Sequence, residues 1–377
     1  MSKFKKTDST LGVDIGANGI KLVELHKSKG RPQLWTYALV GKPLNIHNDS
    51  MHEKTAEELL REKNSEGDLG QKKNEVPTEL NDPRVEEYAK LLKLAVEKAN
   101  VQARHVTASL PVSHVFHAIV NLPLVDDKEL EYHVNAKVKK MLPKPIEQMQ
   151  VVYQVIPSDK EEKSKSIRTL VTAAPKTTVK FYTDIFQKAG LRLDELETEA
   201  FALERSLVGV DKATVMVVDI GAERTNFFIM DDGFPITHRS IQMGGNVLGA
   251  IIQQKVGLED GFISTIKTDV SKLRLDQVPA DLFSKLVEPI IKEIKYSFDL
   301  FLHQTGNESK KPEKIILTGG SCVFPSIREA ISKEFSMKVF IGDPWARVVY
   351  QQGLKSLLDD IGPQMSVSIG LALRGLV

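Results

Sequence analysis

The chain has 377 residues, which is enough for about two domains, since domains commonly run to roughly 100–200 residues. An apolar fraction of 41% permits a full hydrophobic core, and a formal net charge of +1 gives no bulk attraction to nucleic acid. A single cysteine, Cys322, excludes an internal disulfide and fits a reducing compartment. Residues 1–10 lack the pattern of a signal peptide, and no apolar run reaches the roughly 18 residues of a membrane span, so we expect membrane contact only through a partner.

The first predicted elements are two apolar strands joined by a tight glycine turn, with the sequence Val-Asp-Ile-Gly-Ala at 13–17. Residues 34–40 predict a third strand. An Asp at the end of a buried strand, here Asp14, suits a divalent metal and its waters. Lys21 would supply a point charge to a phosphate group. We expect the turn to direct its amides toward phosphate oxygens; it consists of Gly16, Ala17, Asn18 and Gly19.

Residues 44–81 are rich in charge and predict a solvated loop. An amphipathic helix should follow from Asp82-Pro83, and residues 106–110 should form a strand. Residues 112–176 predict an insertion with its own small core: a strand at 115–120, a helix to Met141, and strands at 151–156 and 167–174. If the strand at 115–120 lies at an edge, it would offer apolar side chains and unpaired backbone groups to an extended peptide.

A helix at 178–189, a strand at 191–196 and a helix at 199–207 should connect the insertion to the second half of the chain. Glu199 stands at the start of the last helix. It either caps that helix dipole, or it orients or deprotonates a water that attacks a terminal phosphate. Both interpretations stay open at this point.

The same five residues, Val-Asp-Ile-Gly-Ala, return at 218–222, again between two apolar runs. Asp219, Gly221 and Ala222 repeat the first turn, and Thr225 offers a hydroxyl. Two such hairpins about two hundred residues apart predict duplicated lobes that grip one phosphate chain between them.

The rest of the second half predicts a strand at 235–241 that precedes Gly244-Gly245, then helices near 247–254, 261–273 and 282–303. Residues 314–318 read as a buried strand that ends in Gly319-Gly320, where the backbone would approach a flat ring or sugar. A helix from Pro325, a short strand at 339–341 and a closing helix at 366–373 complete the chain.

Three segments together resemble the actin-like ATPase superfamily: VDIGANGIK, VVDIGAERTNF and IILTGGSCVFPSI. Within it, LETEAFALERSL, IQMGGNVL and SIGLALRG look most similar to the PilM family of type IV pilus assembly. The resemblance implies an α/β fold, actin-like (RNase H-like), with two duplicated lobes. The first lobe would take 1–111 and 177–212, and the second 213–377 with a helical subdomain at 246–310. Residues 112–176 match the inserted subdomain that the PilM and FtsA families share.

The resemblance also implies roles for individual residues, with ATP and Mg²⁺ as the ligands. Asp14 and Asp219 would hold Mg²⁺ through water, and Lys21 and Thr225 would contact phosphate oxygens. Glu199 takes the place of a water-activating glutamine. The nucleotide would be contacted further by Gly244, Gly245, Lys272 with its neighbour Asp269, Gly319, Gly320 and Ser321. Ala17-Asn18 replaces the usual Ser or Thr, so we expect an ATPase that is slow at most.

Three functions remain as hypotheses. The first is a cytoplasmic ATP-binding scaffold, recruited to the inner membrane of a type IV pilus or related type II secretion-like machine. Its partner would be the N-terminal peptide of a PilN-like single-span protein, and self-association is a further hypothesis. The second is a small-molecule kinase on the same fold, although no motif for a substrate base is present. The third is an FtsA-like division protein, for which the end of the chain offers too short a stretch for a membrane helix.

Overall fold

The computed structural model describes residues 9–46, 82–157, 166–247, 250, 284–304 and 307–376. Most of the charged loop predicted at 44–81 lies outside this part of the chain, as do the helix predicted at 261–273 and most of the one at 247–254. Among the described residues, no helix is long and apolar enough to cross a membrane.

The strands in chain order are β1 (Ser9–Gly16), β2 (Gly19–Ser28), β3 (Arg31–Gly41), β4 (His105–Leu110), β5 (Phe116–Leu122), β6 (Met149–Val155), β7 (Ile167–Pro175), β8 (Arg192–Thr198), β9 (Val215–Ile220), β10 (Thr225–Asp231), β11 (Phe234–Ile241), β12 (Lys314–Thr318) and β13 (Lys338–Ile341). The helices are α1 (Pro83–Lys98), α2 (Asp127–Val138), α3 (Lys176–Lys188), α4 (Glu199–Leu203), α5 (Ser284–Leu302), α6 (Pro325–Glu334) and α7 (Lys355–Leu373).

Two five-stranded sheets repeat one topology, in the orders β3-β2-β1-β4-β8 and β11-β10-β9-β12-β13. In each sheet the three strands at the start of the order are antiparallel neighbours. The third of them, β1 or β9, is parallel to the strand on its other side, β4 or β12. The carboxyl ends of parallel strands meet at one edge of a sheet, so each lobe places its glycine turn at that edge. The repeated sequence motif thus marks a repeated sheet.

The helix α7 is longer than predicted. The predicted start at residue 366 is wrong, because the helix begins at Lys355 and continues through Pro363. A proline inside a helix removes one backbone hydrogen bond and disfavours the turn before it. Here nearly every residue from Gly362 to Leu373 is buried, and the carbonyl of Pro363 accepts hydrogen bonds from Gly319 N (3.0 Å) and Thr318 Oγ1 (2.9 Å). Burial and these bonds offset the cost of the proline.

The segment predicted as an insertion carries a separate three-stranded sheet, in the order β5-β7-β6, with α2 packed over β5 and β7. Its small core contains Leu130, Val134 and Val138 of α2 against Val120 and Val171. The strand β5 lies at one edge of this sheet, and it contacts β11 of the second lobe. The strand β6 lies at the other edge and is exposed, with Val152 55%, Tyr153 37% and Val155 44% accessible.

A pair of histidines forms part of the contact between β5 and β11. His117 Nε2 donates to the carbonyl oxygen of Pro235 (3.0 Å), and the rings of His117 and His238 meet edge to face at 5.0 Å. Burial lowers the pKa of His117 to about 4 and that of His238, with a further contribution from His117, to about 3. Both rings are therefore neutral in the folded protein at neutral pH.

The histidine pair predicts a specific loss of stability in mild acid. Below pH 6.5 the unfolded chain takes up protons on these rings while the folded chain does not, so the free energy of unfolding should fall as the pH falls. At pH 5.5 the loss is about 1.4 kcal/mol per ring. Urea unfolding at pH 7.5 and pH 5.5 measures it. A His117→Gln/His238→Gln variant should lack this part of the pH dependence. If the free energy of unfolding fell equally between pH 7.5 and pH 5.5 in the variant and the wild type, the assignment to these histidines would be contradicted.

Candidate functional site

A cleft of about 840 Å³ opens between the two sheets, where the carboxyl ends of their strands face each other. Both glycine turns, the start of α4 and the turn after β12 contribute to it. The predicted site residues that line it are Asp14, Gly16, Ala17, Asn18, Lys21, Glu199, Asp219, Gly221, Ala222, Gly245, Gly319, Gly320 and Ser321. The fold therefore brings together residues up to 307 positions apart (321 − 14).

The first turn places an ion pair at the cleft. The β1–β2 register pairs Asp14 with Lys21 and Gly16 with Gly19. Lys21 Nζ donates to Asp14 Oδ2 (2.8 Å), and Ser109 Oγ donates to Asp14 Oδ1 (2.9 Å). The Asp14 carboxylate raises the pKa of Lys21 against the opposing effect of burial, so the ammonium group stays charged. Lys21 is predicted to contact phosphate, and here its partner is the carboxylate beside the turn.

Gly19 supports this turn from behind and does not line the cleft. Its φ of 117° is in a region that residues with a side chain rarely adopt. A Cβ atom there would overlap the carbonyl oxygen of Val40 and lie 2.9 Å from Lys42 N. Glycine is therefore required at residue 19 by the neighbouring strand β3.

Asp219 brings a second aspartate side chain to the cleft. No described residue donates a hydrogen bond to its carboxylate, in contrast to Asp14. Burial raises the pKa of Asp219 to about 6; Lys21 lowers it and Asp14 raises it further. A cation would stabilise this carboxylate. The described residues contain no group of three or more His, Cys, Asp or Glu side chains that could hold a metal directly. Mg²⁺ fits the donor set nonetheless, because it commonly keeps several waters and uses one or two carboxylates.

Glu199 is the first residue of α4, and its carboxylate points away from its own helix. Glu199 Oε2 accepts hydrogen bonds from Asn226 Nδ2 (3.2 Å) and Val112 N (3.4 Å). These donors belong to the second lobe and to the start of the insertion, so the hydrogen bonds of this carboxylate link three parts of the fold. Burial, followed by the charges of Asp219 and Asp14, raises the pKa of Glu199 well above its usual value. The helix predicted at 199–207 is α-helical only in its first part. The helix α4 ends at Leu203, and a π-helical turn follows at Glu204–Val208.

The pairs Gly244-Gly245 and Gly319-Gly320 bring the second turn into close contact with the end of β12. Gly319 has φ 86°, and a Cβ atom there would overlap Asp219 Oδ1. Gly245 N donates to the carbonyl of Gly221 (2.9 Å), and Ser321 N donates to that of Ile220 (3.1 Å). A Cβ atom at Gly244 would approach Ala222 O to 2.5 Å. Gly244 thus packs against the turn from behind, whereas Gly245, Gly319, Gly320 and Ser321 form part of the cleft wall.

One other predicted residue does not line the cleft. Thr225 is fully buried, and its hydroxyl donates to the carbonyl of Met243 (2.7 Å), so contrary to prediction it is not available to a phosphate oxygen. Lys272, with Asp269, lies outside the described residues.

Asn226 is a cleft residue that the sequence prediction missed. It pairs with Asp219 in the β9–β10 register, as Lys21 pairs with Asp14, and both partners follow their Asp by seven residues (226 − 219 and 21 − 14). Counting through the repeat would have selected position 226, not 225, because neighbouring strand residues face opposite sides. The structure adds Glu223, Arg224 and Gln364 to the cleft wall as well.

The duplicated sheets, the cleft between them and the paired Asp-Gly turns define a protein of the actin-like ATPase fold, as predicted. The family model described as "Type IV pilus assembly protein PilM" matches residues 71–376, and the chain belongs to that family.

The similarity to solved structures also covers the first hairpin, which precedes the residues that the family model matches. A structure described as the PilM–PilN type IV pilus biogenesis complex is similar with a TM-score of 0.78 at 21% identity, over 99% of this chain and 100% of that one. The ethanolamine utilization protein EutJ from Carboxydothermus hydrogenoformans is similar with a TM-score of 0.52 at 14% identity, over 99% of this chain and 91% of that one. At these identities the likeness establishes the fold, and the family model establishes the family.

Proposed function

We propose that the protein is a nucleotide-binding scaffold of a type IV pilus, or related type II secretion-like, inner-membrane assembly complex. In this proposal it holds ATP with Mg²⁺ in the cleft and binds the N-terminal cytoplasmic peptide of a PilN-like single-span protein. It would be cytoplasmic and recruited to the inner membrane by that partner. The proposal of nucleotide binding rests on the pair of Asp-Gly turns on opposite sides of one cleft.

The charges of the cleft support a bound Mg²⁺ and phosphate chain. Asp219 lacks a donor among the described residues, while Lys21 already neutralises one oxygen of Asp14. A divalent cation would offset the remaining negative charge and would bring positive charge to the phosphates. The amides of the two turns would meet the phosphate oxygens, and Gly319-Gly320 leaves room for the nucleoside.

Loss of either aspartate should weaken binding of Mg-ATP. Asp14→Ala and Asp219→Ala should each reduce the affinity by about 1–3 kcal/mol, the usual scale for a charged hydrogen-bonding partner. Isothermal titration calorimetry with and without Mg²⁺ measures the loss. Asp232→Ala, an exposed aspartate at the β10–β11 turn, is the matched control and should bind as the wild type does. Unchanged affinity in both cleft variants would refute the nucleotide site.

Hydrolysis, if it occurs, should be slow and should depend on Glu199. Burial raises the pKa of Glu199, which reduces the fraction of carboxylate that can accept a proton from water. Glu199→Gln keeps an acceptor for Asn226 and Val112 but removes the basic oxygen. Steady-state phosphate release should fall at least about tenfold while the affinity for ATP stays similar, since general acid–base catalysis commonly contributes 10²–10⁴-fold. Equal rates in the two proteins would assign Glu199 a structural role alone.

The exposed edge of β6 supports the peptide part of the proposal. An extended peptide adds to a sheet edge through its backbone, and apolar side chains of the edge strand give it further contacts. The strand at 115–120 is the predicted docking strand, but β5 contacts β11 of the second lobe, whereas β6 carries exposed apolar side chains, so β6 is the better candidate. Val152, Tyr153 and Val155 would provide the apolar contacts.

A further inference from the structure

The end of α2 and the turn that follows carry a concentrated positive charge. We call this surface the lysine turn, and its exposed members are Lys137, Lys139, Lys140 and Lys144. Residues 132–158 contain these four lysines and one acidic residue, Glu147. No carboxylate of the described residues forms an ion pair with any of the four ammonium groups. The whole chain has a net charge of +1, so the lysine turn is a local excess.

Backbone hydrogen bonds hold the lysine turn in a defined shape. Lys139 N donates to Asn135 O (3.0 Å), and both Met141 N (2.7 Å) and Leu142 N (3.1 Å) donate to Val138 O. Leu142 packs against the small core under α2, whereas Met141 is 43% exposed. The turn therefore presents the exposed side chain of Met141 between Lys140 and Lys144.

The helix dipole explains only part of this arrangement. Cations near the last turn of a helix are favourable, and the effect falls off within that turn. It accounts for Lys137, Lys139 and Lys140. It does not account for Lys144, which lies beyond the turn, or for the exposure of Met141. Lysine ammonium groups act as point charges without a preferred partner geometry, which suits a fluid layer of anionic headgroups. An exposed apolar side chain among them gains energy by entering the boundary between headgroups and acyl chains.

The lysine turn also lies beside the exposed edge strand, since Lys144 precedes β6 by only five residues (149 − 144). An extended chain advances at most about 3.6 Å per residue. A short segment that joins β6 to a membrane span would therefore keep the lysine turn near the bilayer. We propose that the lysine turn binds the anionic phospholipid surface directly, in addition to the contact through a partner. This goes beyond the proposed function, in which recruitment depends on the partner alone.

Vesicle binding by the full chain without any partner tests the proposal. The probes are phosphatidylcholine vesicles and vesicles that also contain phosphatidylglycerol, at low and at raised salt. The wild type should sediment with the anionic vesicles only, and salt should weaken the binding. Lys139→Gln/Lys140→Gln/Lys144→Gln should lower the partition coefficient by about tenfold or more. Lys27→Gln/Lys29→Gln/Arg31→Gln removes the same charge from the exposed β2–β3 turn and should stay within about twofold of the wild type.

Three results would overturn the proposal: no binding of the wild type to anionic vesicles, wild-type binding by the lysine-turn variant, or equal losses in the two variants. Capture of an acidic peptide by the lysine turn, without vesicle binding, would also overturn it in favour of a protein partner. Circular dichroism and calorimetry with ATP show whether the variants are folded. Binding of the PilN-like peptide in solution is measured separately, so failure of the proposed function is distinguishable from failure at the lysine turn.

Discussion

Gly12→Ala should lower the free energy of unfolding by about 3 kcal/mol, the upper end of the usual cost of overpacking a core. Gly12 lies in the middle of β1, directly against α7. A Cβ atom there would overlap the carbonyl oxygen of Ser368 and the amide of Ala372. These are backbone atoms of a buried helix, so they cannot move aside as the end of a flexible side chain would. Either β1 or α7 must shift.

A displacement of α7 should also affect the second lobe, because α7 packs on both five-stranded sheets and on α4. On the opposite side of the helix, a Cβ atom at Gly370 would overlap the carbonyl of Ala202 in α4. The carbonyl of Pro363 meanwhile bonds to Gly319 at the cleft. A displaced α7 should therefore also weaken nucleotide binding.

Urea unfolding of Gly12→Ala beside Gly41→Ala tests this expectation. A Cβ atom at Gly41 has no heavy atom within 4 Å, and the φ of this residue is not positive. Gly41→Ala should thus be neutral or slightly stabilising, because alanine reduces the entropy of the unfolded chain. If the two variants were equally stable, the close packing of α7 on β1 would be refuted.

Removal of the insertion should abolish capture of the PilN-like peptide while nucleotide binding persists. The change deletes residues between Val112 and Lys176 and joins them by a short linker. The cleft keeps both Asp-Gly turns, although Glu199 loses order if the amide of Val112 shifts. Calorimetry with a synthetic peptide, and separately with Mg-ATP, measures both functions. Peptide affinity equal to that of the wild type would place the groove elsewhere.

Single substitutions in the exposed strand β6 test the site of peptide binding more specifically. Val152→Asp and Val155→Asp should each weaken peptide binding at least about tenfold, since burial of an unpaired charge is costly. Tyr132→Asp on α2 is a matched control: Tyr132 is 74% exposed, yet it lies off the edge strand. Weaker binding in the Tyr132 variant alone would assign the peptide to the outer face of α2. Comparison of the two valine variants identifies the face of β6 that the peptide covers.

Much of the site was predictable because its turns are local structures. A buried strand, a tight turn and a second strand occupy 20 consecutive residues in the first lobe (9–28) and 17 in the second (215–231). Glycine and aspartate at the turn reveal both its shape and its chemistry. The repeat then implied that the two turns act together. Thr225 was assigned wrongly because a hydroxyl after the turn looked chemically suitable, whereas the strand alternation points residue 226 into the cleft.

The sequence by itself determined the duplicated lobes, the family, the Asp-Gly turns and the position of the inserted sheet. Each depends on a local pattern or on its repetition. Only the tertiary structure decided the partners of Glu199, the course of α7 through Pro363 and the exposed edge of the inserted sheet. These features depend on residues far apart in the chain, such as Val112 and Glu199 at a separation of 87 or His117 and Pro235 at 118. A hydrogen bond of that kind exists only after the elements have packed, so no local pattern encodes it.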